Sequence, residues 1–163
     1  MKIITGLLIL LTFTACEFSI DFNSKSPEKT KKELDSLLDI WHQAAGNADF
    51  KTYFDLMDKD AVYVGTDASE VWTKQAFMDF AKPYFDKGKA WNFKKIKRHI
   101  YLDKISQTAW FDETLDTWMG VCRGSGVLQY GQDTWRIKHY VLSLCVPNEK
   151  MDTVRRIIRR DSL

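Results

Sequence analysis

The chain has 163 residues, 45% of them hydrophobic and 13% aromatic, enough for one domain with a substantial core. Lysine and arginine number 24 against 22 aspartates and glutamates, a balance with no global signature of a nucleic-acid partner. The charge is uneven: residues 82–104 hold eight basic and two acidic side chains, and residues 49–70 hold six acidic and two basic. A basic strip of this kind reads first as a solvated sheet face.

The chain opens like a targeting segment. Lys2 is followed by an apolar run over residues 3–13, then Thr14-Ala15 and Cys16. A run of eleven residues is too short to span a bilayer as a helix, which needs about 20. The run, the small pair and the cysteine resemble a bacterial lipoprotein signal, with Phe13 departing from the usual Leu or Val. That resemblance implies a signal over residues 1–15, a lipidated Cys16, membrane attachment through it and a place in the cell envelope. Residues 16–26 then read as a polar tether.

Ser26-Pro27 has the form of an N-cap and first helical residue, and Leu34, Leu37, Leu38 and Trp41 follow as one apolar stripe ending near Gly46. Asp49 is placed to cap a shorter helix carrying Phe50, Tyr53, Phe54 and Met57. A turn over residues 58–60, a short strand over 61–65 and a polar loop lead to Trp72. A third helix begins near Thr73 with Phe77, Phe80, Ala81, Tyr84 and Phe85, interrupted in pattern by Pro83 and closed by Gly88.

From Trp91 the period changes to two, predicting strands over residues 91–102 and 109–118. Residues 123–149 then form the strongest hairpin signal, two apolar runs around Gly131-Gln132-Asp133. Asn148 caps a last segment over residues 150–163, where Met151, Val154, Ile157 and Ile158 face one way and arginines cover the rest. Docking of that apolar side on the domain is the first expectation, and contact with anionic lipid the second. Helices segregated from a meander of strands make the class α+β.

Particular stretches carry a family likeness. They are Val64-Gly65-Thr66-Asp67 with Glu70-Val71-Trp72, Ala81-Lys82-Pro83-Tyr84-Phe85, Arg98-His99-Ile100-Tyr101, Ala109-Trp110-Phe111-Asp112-Glu113 and Arg123-Gly124-Ser125-Gly126-Val127-Leu128. Trp135-Arg136-Ile137, His139-Tyr140 and Pro147-Asn148-Glu149 complete the set. Together they resemble the SnoaL-like branch of the nuclear transport factor 2-like (NTF2-like) family. The resemblance implies a cone over residues 27–149, with N-terminal helices packed on a strongly curved antiparallel sheet. It leaves the activity open among isomerases, cyclases, dehydratases, ligand binders and adaptors, and it implies a homodimer formed through the open sheet face.

Alternation places Ala109, Phe111, Glu113 and Leu115 on one face, so Glu113 is a candidate pocket carboxylate whose pKa burial would raise, or else an ion-paired acid. His139 shares a face with Trp135, Ile137 and Val141, taken as the core face, which makes it a candidate general base or a hydrogen-bonded core histidine. Arg123 shares a face with Ser125 and Val127, and Arg98 with Ile96 and Ile100; either guanidinium could orient a ligand or pair with an acid. Trp41, Tyr53 and Trp72 are candidate walls of a ligand cavity, or core. An even hairpin turn sets Arg123 and His139 on opposite faces, and an odd turn or a bulge unites them. Cys122 and Cys145 lie on neighbouring strands, where register decides whether they can bond. No metal cluster, cofactor fingerprint or nucleophile elbow is present. The leading expectation is a lipid-anchored domain holding a small apolar or amphipathic ligand; an acid–base enzyme using Glu113 and His139 and a ligand-free dimeric module are the rivals.

Overall fold

The structure, a computed structural model, describes residues 26–105 and 107–160. The signal over residues 1–15, Cys16 and the tether up to residue 25 lie outside the described residues. Helix α1 (Pro27–Gly46) starts where Ser26 Oγ accepts the Lys29 amide at 3.3 Å, with Pro27 needing no amide bond of its own. Asp49 caps α2 (Phe50–Asp55) by accepting from the Thr52 amide at 3.0 Å. Strand β1 (Met57–Val64) and the short β2 (Val71–Thr73) follow. Thr73 then caps α3 (Lys74–Asp86), which runs unbroken through Pro83.

Strands β3 (Lys94–Asp103), β4 (Thr108–Thr117), β5 (Gly120–Gly131) and β6 (Thr134–Leu144) complete one open sheet, in the order β2-β1-β6-β5-β4-β3. The expected meander is there, but the sheet is not wholly antiparallel, because β1 runs parallel to β6. Residues 91–93, expected as strand, precede β3, and Trp91 turns its ring against Tyr53, Phe77 and Phe85.

The helices cover the inner face of the sheet, and aromatic rings fill the space between. Trp41 stacks on Tyr53 with centroids 4.9 Å apart and meets Tyr140 edge-on at 4.8 Å; Tyr63 stacks on Phe77 at 4.0 Å. Such pairs add about 0.5–1.5 kcal/mol each to what area burial provides. The inner side of β5 is built from Cys122, Gly124, Gly126 and Leu128. A Cβ at Gly126 would lie 2.8 Å from the Phe111 ring, so only glycine lets these strands close on the core.

Two bulges set which side chains look inward. In β3 the pairing passes from Lys95↔Leu115 to Lys97↔Thr114, so Ile96 is the extra residue and is exposed. In β6 it passes from Leu128↔Ile137 to Val127↔His139, so Lys138 is the extra residue. Facing residues of an antiparallel pair share a face. Trp135, Ile137, Tyr140 and Leu142 therefore point inward, and His139 does not.

Register also separates the two cysteines. Cys122 sits opposite Leu144, buried, with Thr117 Oγ1 at 3.5 Å, and both Cys122 and Cys145 are free thiols. Past a 3-10 turn at Asn148–Lys150, helix α4 (Met151–Arg160) leaves Met151, Ile157 and Ile158 exposed, Ile157 by 56%. The docked arrangement expected for that helix is not what forms: ten residues of which five are charged offer the core too narrow an apolar stripe.

The β5–β6 turn is the two-residue loop Gln132-Asp133, both at positive φ (51° and 61°), closed by the pair Gly131↔Thr134. That is type I′ geometry, in which Asn-Gly relieves the strain of non-glycine left-handed residues. Replacing Gln132-Asp133 by Asn-Gly is expected to stabilise the fold by about 1 kcal/mol, raising Tm by about 2–4 °C in a thermal melt.

Candidate functional site

The buried polar groups of the inner face converge on Glu113. Its strand places it there by alternation, between Phe111 and Leu115, and it is only 1% exposed. Oε1 accepts from His42 Nε2 at 2.8 Å and from the Tyr140 hydroxyl at 3.0 Å. Oε2 accepts from Arg98 Nε at 2.8 Å, and Arg98 Nη2 lies 2.8 Å from the same oxygen as a charge contact not aligned as a hydrogen bond. The remaining arm of Arg98 runs to α1: Nη1 donates to Asp35 Oδ1 at 2.7 Å, Asp39 Oδ1 at 2.8 Å and the Asp35 carbonyl at 3.0 Å. Lys95 adds ion pairs to Asp35 and Asp39 at 3.0 and 2.8 Å.

This network needs contributions from four elements. His42 lies four residues beyond Leu38 on the buried side of α1, and Asp35 and Asp39 occupy successive turns beside it. Arg98 points inward with Ile100, the β3 bulge brings Lys95 to the same side, and the β6 bulge turns Tyr140 inward. Gly124 leaves the room: a Cβ there would collide with the Tyr140 hydroxyl and come within 2.9 Å of Glu113 Oε1.

The electrostatics follow from the pairing. Burial pushes the Glu113 carboxyl up, but the hydrogen bond and charge of His42 and the charge of Arg98 outweigh it, and its pKa lies below the ordinary glutamate value. The expectation of a raised Glu113 pKa is thereby overturned. Burial likewise opposes Asp39, and Lys95 and Arg98 hold it low. Burial disfavours the Arg98 guanidinium, yet Glu113, Asp39 and Asp35 raise its pKa further. Tyr140 is pushed well above the usual phenol value by burial and then by the Glu113 charge. The carboxylate is thus ionised and fully engaged.

The residues singled out from the sequence divide three ways. Glu113 and Arg98 meet, as a buried ion pair. Trp41 and Tyr53 are locked into the aromatic core, while Trp72 stacks on Phe80 at 5.1 Å, away from Glu113. His139 and Arg123 share the outer face, because the Lys138 bulge shifts parity and Arg123 stands opposite Thr114 and Ser143. Neither lines a site with Glu113, and Arg98 holds the place that Arg123 was a candidate for. His42, Asp35, Asp39 and Tyr140 were not among the expected site residues. The α1 stripe carried the signal for His42, since it extends Leu34 and Leu38 by the same four-residue step.

Among the cavities on the surface of the described residues are four of about 250 to 570 Å³, and Trp41, Tyr53, Trp72 and Arg123 line none of these four. His42 borders the smallest, about 250 Å³, with Asp39, Gln43, Asn92, Phe93, Lys94 and Lys95. Among the described residues no group of three or more His, Cys, Asp and Glu is placed to hold a metal ion.

A family model described as a SnoaL-like domain matches residues 34–147. A search of curated proteins found no match. Among solved structures, an NTF2-like protein of unknown function from Pseudomonas putida KT2440 superimposes with a TM-score of 0.64 at 13% identity, over 77% of this chain and 94% of that one. An NTF2-like family protein from Streptomyces avermitilis, provisionally described as a dehydratase, gives 0.64 at 13% identity over 75% and 100%. The association domain of CaMKII from C. elegans gives 0.58 at 17% identity over 72% and 97%. At these identities the likeness is one of fold.

Replacing Glu113 by Gln is expected to destabilise the domain by about 3 kcal/mol in denaturant titration, because it leaves Arg98 buried with its inner partner neutral. Both low-pKa acids contribute stability above their unfolded values, near 4, and lose it as pH falls through their lower folded values. The wild type should therefore lose stability below about pH 4.5, with a shallower acid limb in Glu113→Gln.

Proposed function

We propose an assembly role for this chain, which belongs to the SnoaL-like domain family and has the NTF2-like cone fold. The reading is an envelope module, held to the membrane by a lipidated Cys16, that pairs with a second copy through the outer face of its sheet. What carries it is a row of side chains across that face. Tyr101 stands opposite Trp110, Trp110 opposite Val127, Val127 opposite His139, and His139 beside Val62. Tyr101 and Trp110 stack at 5.7 Å yet remain 44% and 46% exposed.

A monomer gains nothing by placing two large aromatics on the open side of a sheet whose other side is already sealed by rings. A two-fold axis through the row would set it against its own copy, with Arg123, Ser125, Asp116 and the His99–Asp112 pair as polar rim. The association domain among the similar folds supports the same use of the cone. The exposed apolar side of α4, with arginines opposite, suits contact with anionic lipid and so supports an envelope location.

A second reading rests on His42. It borders a surface mouth while its Nε2 is held by Glu113, an arrangement that can orient an imidazole for proton transfer. Trp41 Nε1, in the adjoining ring 5.1 Å away by centroids, is buried with no acceptor among the described residues. A small polar ligand entering the mouth would meet His42, with Gln43 and Asn92 beside it. The small apolar or amphipathic ligand expected inside the cone has the packing of Trp41, Tyr53 and Tyr140 against it. On this reading His42 takes the acid–base part considered for His139.

Native mass spectrometry and light scattering should give twice the chain mass. Trp110→Glu should give the monomer with unchanged circular dichroism, and a wild type that is monomeric at tens of micromolar would remove the assembly reading. A clickable fatty acid fed to cells should label the wild type and not Cys16→Ser; equal labelling of both removes the lipid anchor. For the second reading, a small molecule should co-purify with the wild type and be lost in His42→Asn.

A further inference from the structure

The largest of the four cavities, about 570 Å³, lies far from Glu113, beside the irregular start of β1. Between Met57 and Val62 the first strand advances five residues while its partner β6 advances two, from Ile137 to His139. The excess chain bows out and forms a wall. Asp58 Oδ1 accepts from the Asp60 amide at 3.0 Å, and Lys138, the extra residue of the β6 bulge, pairs with Asp58 at 3.0 Å and Asp60 at 3.7 Å. Two bulges facing each other thus hold a cleft open, a placement of bulges that commonly re-aims side chains for binding.

The charges in this cleft are not balanced. Asp55 is paired with Lys51, Asp58 with Lys138, and Lys59 with Asp60. Lys74 and Arg136 also line it, and neither has a carboxylate within ion-pair distance among the described residues. Lys74 is not free to swing away, because its amine donates to the Met57 carbonyl at 2.9 Å. Burial lowers the Lys74 pKa, and the charge of Arg136 lowers it further against the opposing pull of Asp55 and Asp58. Two neighbouring cations therefore repel each other in a recess whose acids are already engaged.

We propose that this cleft is a binding site for a small molecule bearing a carboxylate or phosphate group, gripped by Arg136 and Lys74. A guanidinium presents two parallel N–H groups to such an oxyanion, and the fixed ammonium adds a point charge beside it. The remaining volume houses the body of the ligand against Met57 and the Gly131-Gln132 turn. This site uses none of the residues of the Glu113 network or of the Tyr101–Trp110 row.

The purified full chain is titrated calorimetrically at low ionic strength with inorganic phosphate and, separately, with acetate. Saturable one-site binding of either is expected, and whichever binds more tightly names the group recognised. Arg136→Gln should weaken it at least tenfold and Lys74→Gln similarly, while Lys94→Gln, outside the cleft, should leave it unchanged. Arg136 has no ionic partner to lose among the described residues, so its variant should melt like the wild type in the absence of ligand. No saturable binding of either anion would overturn the proposal, as would an equal loss in Arg136→Gln and Lys94→Gln, which is diffuse charge attraction.

Discussion

A carboxylate taken out of water must find partners or give up its charge, and Glu113 finds three: His42 from α1, Arg98 from β3 and Tyr140 from β6. The idealised cost of burying such an ion is of order 20 kcal/mol, and several kcal/mol persist after relaxation. Each partner is therefore under strong constraint. Arg98 in turn must be neutralised, and Asp35 and Asp39 on α1 do so. The first helix is thus tied to the sheet by directional bonds that fix its rotation and its height, where apolar packing alone would tolerate sliding. The geometry of the cone follows from satisfying one buried acid.

The same constraint explains why the interior offers little chemistry of the kind the residues first suggest. A carboxyl that acts as general acid or base needs an oxygen free to reach the substrate and a pKa near the working pH. Glu113 has neither, being held low by His42 and Arg98 and bonded at both oxygens. The aromatic cluster around Trp41, Tyr53 and Tyr140 occupies the space in which an apolar ligand would sit. What remains available is at the surface, including the mouth beside His42, the cleft beside Arg136 and the outer row through Trp110.

Much of the architecture was legible from local rules. The caps at Ser26, Asp49 and Thr73, the amphipathic stripes of α1 and α3, the hairpin at Gln132-Asp133 and the inward alternation of Glu113 each depend on residues close in the chain. The side chains that face the other way share one cause. Ile96 and Lys138 are each one residue too many for their ladder, and past such a point every alternation argument inverts. Hence simple alternation puts His139 in the core although it faces outward, and leaves out Tyr140 although it faces Glu113. The parallel pairing of β1 with β6 joins strands some seventy residues apart, which no local pattern encodes. The C-terminal helix fails differently: its periodicity is correct, but periodicity states that an apolar face exists, not what covers it.

The sequence by itself determined the class of fold, the order and ends of most elements and the polar character of the site, because capping, turn strain and hydrophobic period act over a few residues. Only the tertiary structure decided which charges meet. Arg98 rather than Arg123 answers Glu113 because β3 brings an arginine opposite it where β5 brings Gly124, and whether His42 or His139 stands beside it depends on the β6 bulge and on the rotation of α1. Those are settled by the collective demand that buried charges be paired and rings be packed, and that demand exists only once the chain has closed on itself.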